Sequence, residues 1–219
     1  MEIRIEEVVL HYHKSGNGHP LLLLHGNGED HHIFDALAAK LENHFTVYAI
    51  DSRNHGKSSR TEEFGYDVMA KDMELLVRRL GLEHVSIVGF SDGAIIALLM
   101  AMQEEPVLEK MVLLGANLKP SDFKDRVYRH LEKSYEENPD QLVALMLHEP
   151  NIEAEDLEII NIPTLVVGGE HDIYKPDTFD KISGHIKGSQ LVIMEGHDHS
   201  SYVAETDILF PVIKEFLLP

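Results

Sequence analysis

The sequence predicts an α/β fold in which a mostly parallel central sheet is flanked by helices on both faces. Two observations indicate this class. Short, wholly apolar runs such as "PLLLLHG" stop at glycine, which is typical of strands that are buried on both faces. These runs alternate with amphipathic segments of about ten to fifteen residues, and strands that alternate with helices of that length form parallel sheets.

The first half of the chain supplies the opening elements in order. "IRIEEVVLHYHKSGNG" alternates in patches and ends in a Gly/Asn turn, so we expect an edge hairpin. "HIFDALAAKLENH" carries Ile33, Leu37 and Leu41 at four-residue spacing, which predicts a helix, and "FTVYAID" predicts the next buried strand. "YDVMAKDMELLVRRLG" predicts a second helix that ends at Gly81.

The second half continues the same alternation. "HVSIVGF" predicts a strand, and the helix after Ser91 is apolar almost all round, which indicates burial in the centre of the fold. "MVLLGAN", "TLVVGGEHD" and "LVIMEGH" predict further strands, and "TDILFPVIKEFLL" predicts a terminal helix with Pro211 near its first turn. The range 118–161 contains no strand candidate, so we expect a single domain over 1–219 in which 118–161 is a small helical cap insertion.

Composition excludes several classes of function. The chain has 219 residues, with 19 Lys and Arg against 38 Asp and Glu, and its net charge of -19 repels nucleic acid and anionic membranes. The absence of cysteine excludes disulfides, thiolate metal sites and a cysteine nucleophile. "MEIRIEEVVL" lacks the basic start and the apolar core of a signal peptide, so we expect none there. The apolar runs are too short to span a membrane. We therefore expect a cytoplasmic monomer or homodimer that acts on a small-molecule substrate.

The segment "VGFSDGA" is the clearest candidate for chemistry. It matches G-x-S-x-G with a strand before it and a helix after it. In that context Ser91 occupies a sharp, strained turn, and Gly89 and Gly93 let neighbouring backbone come close. The alternative is that Ser91 only caps the helix in a glycine-rich turn. We favour a nucleophile, with the Asp92 backbone N–H directed at the position where an oxyanion forms.

A nucleophilic serine needs a base and an acid, and candidates for both follow strands later in the chain. Asp172 comes directly after a strand, so we prefer it to Asp122 and Asp177 as the acid. His197 and His199 both follow the last strand and cannot be separated by chemistry alone. The loop must fold back towards both Asp172 and Ser91, and the later histidine has more reach. We therefore prefer His199 as the base. All of these lie at the carboxyl ends of strands, where active sites of open α/β sheets gather.

The upstream segment "LLHGNGEDHH" supplies a candidate hydrogen-bond donor for the oxyanion. It follows a buried strand, and its Gly/Asn turn lets the backbone N–H of Asn27 join that of Asp92 in an oxyanion hole. Taken alone, this segment also fits an ordinary turn. Its position together with the serine, the acid and the histidine favours the functional interpretation.

Five segments together resemble the α/β-hydrolase fold family over essentially the whole chain. "LLLLHGNG" resembles the oxyanion segment, and "DSRNHGKS" is similar to a D-x-R-G-H-G-x-S loop with Asn54 where glycine is usual. "VGFSDGA" resembles the nucleophile elbow, with Ala94 where a further glycine is frequent. "GGEHD" resembles the acid segment, and the G-x-x-H pattern of "MEGHDHSS" falls on His199.

This resemblance implies a catalytic triad of Ser91, Asp172 and His199, with Asn27 and Asp92 donating backbone N–H groups to the oxyanion. It implies a hydrolase of carboxylesterase type, which cleaves a small-molecule carboxylic ester through an acyl-enzyme and needs no cofactor. Thioesters, amides and C–C bonds next to a carbonyl are the alternative targets within the same fold. The short insertion suggests a lightly covered pocket.

Two other classes of function compete with this interpretation. A metallohydrolase is suggested by His25, Asp30, His31 and His32, together with "HDH" near the carboxyl terminus. That loop lacks the further Asp and His of a dinuclear H-x-H-x-D-H site, so we expect no metal. A receptor-like protein that keeps the pocket and binds a ligand without turnover is the second alternative, because fold alone does not decide function.

The carboxylate of Asp92 beside the nucleophile has two interpretations. It could recognise cationic esters, since the "SDG" elbow resembles that of hydrolases acting on amino-acid esters. It could instead stabilise the start of the helix, where carboxylates are favoured. We prefer the second interpretation.

Overall fold

The computed structural model describes residues 1–103 and 106–218. The strands of the sheet, numbered in chain order, are β1 (Glu2–Ile5), β2 (Val8–Gly16), β3 (His19–Leu24), β4 (Phe45–Ile50), β5 (Val85–Phe90), β6 (Leu108–Leu114), β7 (Thr164–Gly169) and β8 (Gln190–Met194). The helices are α1 (Asp35–Leu41), α2 (Tyr66–Arg79), α3 (Asp92–Ala101), α4 (Asp125–Glu137), α5 (Gln141–His148), α6 (Thr178–His185) and α7 (Phe210–Leu217). Short 3₁₀ turns cover His31–Phe34, Pro120–Asp122 and Ala154–Ile159.

The sheet has the mostly parallel architecture that the sequence predicts. Its strand order is β1-β2-β4-β3-β5-β6-β7-β8. The predicted edge hairpin is β1 and β2, which pair antiparallel, and β2 also pairs antiparallel with β4. The remaining neighbours are parallel, so the carboxyl ends of β3 to β8 meet along one edge of the sheet. That edge carries the candidate site.

Strand β3 shows why a wholly apolar run belongs in the centre of the sheet. Leu21 and Leu23 pack into one hydrophobic cluster, and Leu22 and Leu24 pack into the cluster on the opposite face. All four side chains are fully buried. Because both faces of the strand lie against helices, every position from Leu21 to Leu24 is apolar and no polar alternation remains. Truncation of one such leucine to alanine costs about 2–5 kcal/mol in typical cores.

The helices divide between the two faces of the sheet. Residues of α2, α3 and α6 belong to one hydrophobic cluster, whereas residues of α1 and α7 belong to the other. Helix α3 is buried on nearly every side, as its apolar sequence predicts, and only Leu99 among its residues is partly exposed. The sheet therefore has helices on both faces, and the predicted fold class is confirmed.

One helix and two helix boundaries differ from expectation. Helix α6 was not predicted, because it buries only Thr178, Phe179 and Ile182, and so few apolar positions give a weak periodic signal. The terminal helix begins at Phe210, with Pro211 in its first turn, after a non-helical segment that the sequence assigned to the helix. The segment before α1 is a 3₁₀ turn, in which the side chain of Asp30 accepts a hydrogen bond from the N–H of His32.

The range 118–161 contains α4, α5 and two of the 3₁₀ turns. Its role as a cap insertion within one domain over 1–219 stays a prediction. Among the residues that the structure describes, no helix combines the length and apolar character needed to cross a membrane.

Candidate active site

Ser91 lies in the turn between β5 and α3, in the strained conformation that the elbow motif predicts. Its backbone angles are φ 51° and ψ −112°, in a region that costs a non-glycine residue on the order of 1–3 kcal/mol. A Cβ on Gly89 would collide with the carbonyl of Gly93, and a Cβ on Gly93 would collide with the carbonyl of Leu24. Both glycines are therefore required so that α3 can start directly above the sheet.

The structure brings the predicted serine, histidine and aspartate into one chain of contacts. Ser91 Oγ lies 3.1 Å from His199 Nε2, and His199 Nδ1 lies 2.8 Å from Asp172 Oδ1. These distances suit hydrogen bonds in which Nδ1–H donates to the carboxylate and Nε2 accepts from the serine hydroxyl. In that tautomer, Nε2 is placed to take the serine proton.

The carboxylate of Asp172 is fixed by backbone donors as well as by the histidine. The N–H of Ile173 donates to Oδ1 at 2.7 Å, and the N–H of Gly169 donates to Oδ2 at 3.2 Å. The alternative acids lie elsewhere: Asp122 accepts from the backbone in its own turn, and Asp177 is exposed before α6. The residue that directly follows β7 is thus the one that faces the imidazole.

The imidazole of His199 is held between two aromatic rings. The centre of the Phe90 ring lies 5.0 Å from the centre of the imidazole, and the Tyr174 ring lies edge-on to it with the ring centres 5.3 Å apart. Gly115, at the end of β6, closes the remaining side. With φ +60°, a Cβ there would lie 2.7 Å from His199 Cε1, so only glycine leaves room for the ring. The sequence did not point to Tyr174 or Gly115, because neither belongs to a motif with its own chemical signal.

His197, the alternative base, does not reach this chain of contacts. Its Nδ1 lies 3.2 Å from the hydroxyl of Ser201, within the same loop. The carboxylate of Asp198 accepts from the backbone N–H groups of Ser200 and Ser201, which shapes the loop so that His199 points inward. The preference for the later histidine therefore agrees with the geometry.

The two backbone groups expected to bind an oxyanion belong to Asn27, in the segment after β3, and to Asp92, at the start of α3. Within residues 1–103 and 106–218, neither the Asn27 N–H nor the Asp92 N–H donates a hydrogen bond, so both are free to pair with an acceptor. The N–H of Gly93 donates to the carbonyl of His25 at 3.1 Å, and this contact ties the oxyanion segment to the start of α3. Backbone donors fixed in this way stabilise a developing negative charge.

The side chain of Asp92 joins the two halves of that arrangement. Its Oδ2 accepts from Asn27 Nδ2 at 3.0 Å, and its Oδ1 accepts from the Tyr66 hydroxyl at 2.7 Å. Burial raises the pKa of Asp92, while these two hydrogen bonds act in the opposite direction. Asn27 Nδ2 also donates to the carbonyl of Leu142 in α5, at 3.2 Å. Asp92 therefore holds the oxyanion segment in place, a contact that neither of the two earlier interpretations included.

The loop over residues 51–58 is hydrogen-bonded to the oxyanion segment through Ser52 and His25. Burial lowers the pKa of His25 to about 4, so the ring is neutral near pH 7. Its Nε2 accepts from the N–H of Ser52 at 3.0 Å, and its Nδ1 donates to the carbonyl of Gly26 at 2.8 Å.

Asn54, in the same loop, has φ 65°, a left-handed conformation that asparagine tolerates better than most residues. This explains how asparagine replaces the usual glycine there.

Glu29 is a further carboxyl group at the site, and the sequence did not single it out. Its Oε2 accepts from the N–H of Gly26 at 2.9 Å, and a Cβ on Gly26 would lie between this oxygen and Ser91 Cβ, about 3 Å from each. Burial raises the pKa of Glu29 to about 7, and the charge of Asp92 acts in the same direction. The partial burial of the Glu29 side chain, which raises its pKa, is not visible in a local motif.

Replacing Glu29 with glutamine should make the protein relatively more stable at higher pH. A carboxyl group whose pKa rises from 4.5 to about 7 on folding destabilises the fold progressively as pH rises through that interval. Glutamine cannot ionise, and its amide oxygen can still accept from Gly26. We expect the difference in free energy of unfolding between Glu29→Gln and wild type to grow from about pH 5 to about pH 8.

Urea denaturation at both pH values measures this difference. Glu62→Gln removes an exposed carboxylate and should show no comparable trend with pH. A difference for Glu29→Gln that stays constant with pH would show that the carboxyl group does not titrate in this interval.

The histidines that suggested a metallohydrolase do not converge on the serine. Both ring nitrogens of His25 are engaged with backbone, and His199 lies between Ser91 and Asp172. His32 Nδ1 is exposed and pairs with Asp35 at 2.8 Å. Among the described residues, the groups able to hold a metal are His11, His31 and Asp51, and Asp30, His31 and His32, and neither group includes Ser91, His199 or Asp172.

Comparisons with known proteins bear on the family and the fold. A family model described as "alpha/beta hydrolase fold" matches residues 19–146. The chain is 31% identical to "Serine hydrolase BPHL" of Mus musculus, over 99% of this chain and 85% of that protein. The enol-lactonase of Burkholderia xenovorans LB400 superposes with a TM-score of 0.84 at 18% identity over 100% of both chains. Carboxylesterase CesB of Bacillus subtilis superposes with a TM-score of 0.83 at 18% identity, over 100% of this chain and 90% of that one. At such identities the superpositions show the fold alone.

Proposed function

The chain belongs to the α/β-hydrolase fold family, and on that premise we propose that it is a serine hydrolase of small-molecule carboxylic esters. The observation that carries the proposal is the continuous contact from Ser91 Oγ through His199 to Asp172, with distances of 3.1 and 2.8 Å. A serine hydroxyl is a weak nucleophile, and this arrangement supplies the base and the orienting acid that it lacks.

In the first step, Ser91 Oγ attacks the ester carbonyl carbon while His199 Nε2 takes the hydroxyl proton. The carbonyl oxygen becomes an oxyanion that accepts from the backbone N–H groups of Asn27 and Asp92. As the intermediate collapses, the imidazolium gives its proton to the departing alkoxide oxygen, and the alcohol leaves. Asp172 keeps the imidazole in the required tautomer and stabilises its positive charge.

In the second step, water attacks the acyl-enzyme. His199 Nε2 removes a proton from the water, and the new oxyanion occupies the same pair of backbone donors. Collapse breaks the bond to Ser91 Oγ, which recovers the proton from the imidazolium as the carboxylic acid is released. This chemistry needs no cofactor.

A hydrolysis panel tests the bond type and the substrate. We expect activated short-chain esters to be cleaved faster than the thioesters and amides with the same acyl group, as measured by kcat/KM. An additional comparison sets amino-acid esters against neutral isosteres, because the Asp92 and Glu29 carboxyl groups both lie near Ser91. Equal rates in that comparison would end the idea of selection for cationic esters.

The same panel separates the enzyme from a receptor-like binding protein. A receptor would bind esters and show no turnover above the uncatalysed rate. Faster cleavage of thioesters, amides or C–C bonds than of esters would contradict the ester assignment but would leave the assignment as a hydrolase in place.

The monomeric or homodimeric state and the cytoplasmic location expected from the sequence stay predictions.

A further inference from the structure

A group of histidine and aspartate side chains lies beside the oxyanion segment and takes no part in the proposed reaction. His11 is on β2, His31 opens the 3₁₀ turn before α1, and Asp51 follows β4. Strands β2 and β4 pair antiparallel with Tyr12 opposite Ile50, and this register places His11 opposite Asp51. The N–H of Asp51 donates to the carbonyl of His11 at 2.9 Å, so the backbone fixes their separation.

The side-chain atoms of these three residues converge on a small volume. His31 Nδ1 lies 2.6 Å from Asp51 Oδ1, and His11 Nδ1 lies 3.2 Å from Asp51 Oδ2. The two nitrogens and the carboxylate lie within 4.8 Å of one another. Ligands of tetrahedral zinc, at bond lengths of about 2.1 Å, lie about 3.4 Å apart. Small movements of side chains would therefore complete a coordination shell.

One ligand atom lacks an ordinary partner. The Nδ1 of His11 is buried and has no hydrogen-bond partner among the described residues, since its approach to Asp51 does not satisfy hydrogen-bond geometry. A buried polar atom in this state is unfavourable unless a further group pairs with it. A cation would supply that partner. By contrast, Asp51 accepts from the N–H of His31 at 3.0 Å and from the N–H of Lys57 at 2.9 Å, so its carboxylate is already positioned.

The ligand types and the charge of the molecule suit a metal. The group offers two imidazole nitrogens and one carboxylate, which are ligands that divalent cations accept. The net charge of -19 further attracts cations to the molecule.

We propose that His11 Nδ1, His31 Nδ1 and the Asp51 carboxylate bind a divalent transition-metal ion of the zinc type. On binding, the metal replaces the hydrogen that lies between His31 Nδ1 and Asp51, and His31 carries its proton on Nε2. Two imidazoles and one carboxylate match the ligands that Zn²⁺ prefers, and a water molecule can fill the fourth position. The metal joins β2 and β4 to the turn that follows the oxyanion segment, and it stabilises the fold without entering the reaction.

Calorimetric titration of the untagged, chelator-treated protein with Zn²⁺ tests the proposal. We expect saturable binding of about one ion per chain, and a rise in Tm when Zn²⁺ is added. His11→Ala should weaken the affinity by at least about tenfold, because a ligand matters no less than the residues that orient it. Co²⁺ should give ligand-field absorption typical of low coordination in wild type and not in His11→Ala.

His13→Ala is the matched control, since His13 lies two residues further along the same face of β2 and its ring stacks on His31 at 6.3 Å. It should keep the wild-type affinity to within about threefold. Circular dichroism of each variant verifies that it is folded. Absence of saturable Zn²⁺ binding to wild type, unchanged affinity in folded His11→Ala, or an equal loss in His13→Ala would overturn the proposed ligand set. Ser91→Ala should bind Zn²⁺ like wild type, so this test is independent of the proposed function.

Discussion

Ser91→Ala should reduce kcat for an activated short-chain ester by at least about 10⁴-fold, because the acyl-enzyme can no longer form. The residual rate would come from the oxyanion hole and from substrate binding, which the substitution leaves in place. Alanine fits the elbow without a steric clash, and the backbone strain at φ 51° is present in both proteins. We therefore expect folding to be kept, with the loss appearing in kcat more than in KM. Initial rates over a range of ester concentrations measure both parameters.

Ser86→Ala is the matched control for this substitution. Ser86 is buried near the start of β5, and its hydroxyl lies 3.2 Å from Nε2 of His19 at the start of β3, at the opposite end of these parallel strands from Ser91. We expect its kcat to stay close to that of wild type. A Ser91→Ala protein that hydrolyses esters at the wild-type rate would rule out Ser91 as the nucleophile.

Asp172→Asn should reduce kcat by about 10³- to 10⁴-fold with a small change in KM. Both carboxylate oxygens of Asp172 accept hydrogen bonds, from His199 Nδ1 and the Ile173 N–H at Oδ1 and from the Gly169 N–H at Oδ2. An asparagine amide places an NH₂ group at one of these positions. If it faces His199, it imposes the wrong imidazole tautomer, and in either orientation the imidazolium loses its compensating charge.

Asp177→Asn is the control, because this exposed residue was the alternative acid that lies closest in sequence. It should retain the wild-type kcat and KM. Comparable losses in the two variants, or full activity in Asp172→Asn, would contradict the assignment of Asp172 as the residue that orients His199.

The arrangement of the sheet and the principal site residues could be predicted because their signals are local. A run of four leucines that ends at glycine is typical of a doubly buried strand, and a serine between two glycines at the start of an apolar helix is typical of a nucleophile elbow. The structure adds the physical reason for each glycine, since a side chain on Gly89 or Gly93 would collide with neighbouring backbone. Asn54, an apparent departure from the family pattern, has a left-handed φ of 65° that asparagine tolerates.

The remaining features depend on contacts between distant segments. Gly115 matters because a later loop brings His199 against it, and Glu29 matters because neighbouring residues bury its carboxyl group. His11 and Asp51 meet only through the register of two antiparallel strands, so their spacing along the chain carries no metal-binding pattern. Single-sequence reasoning has no access to such contacts, and it therefore missed these residues.

The most direct test of the central claim is mass-spectrometric mapping of the protein after reaction with a fluorophosphonate. A serine activated by His199 and Asp172 attacks the phosphorus, releases fluoride and keeps the phosphonyl group. We predict stoichiometric modification confined to the peptide that contains Ser91, with Asp172→Asn modified far more slowly. An unmodified protein, or modification spread over other hydroxyl groups, would contradict the account.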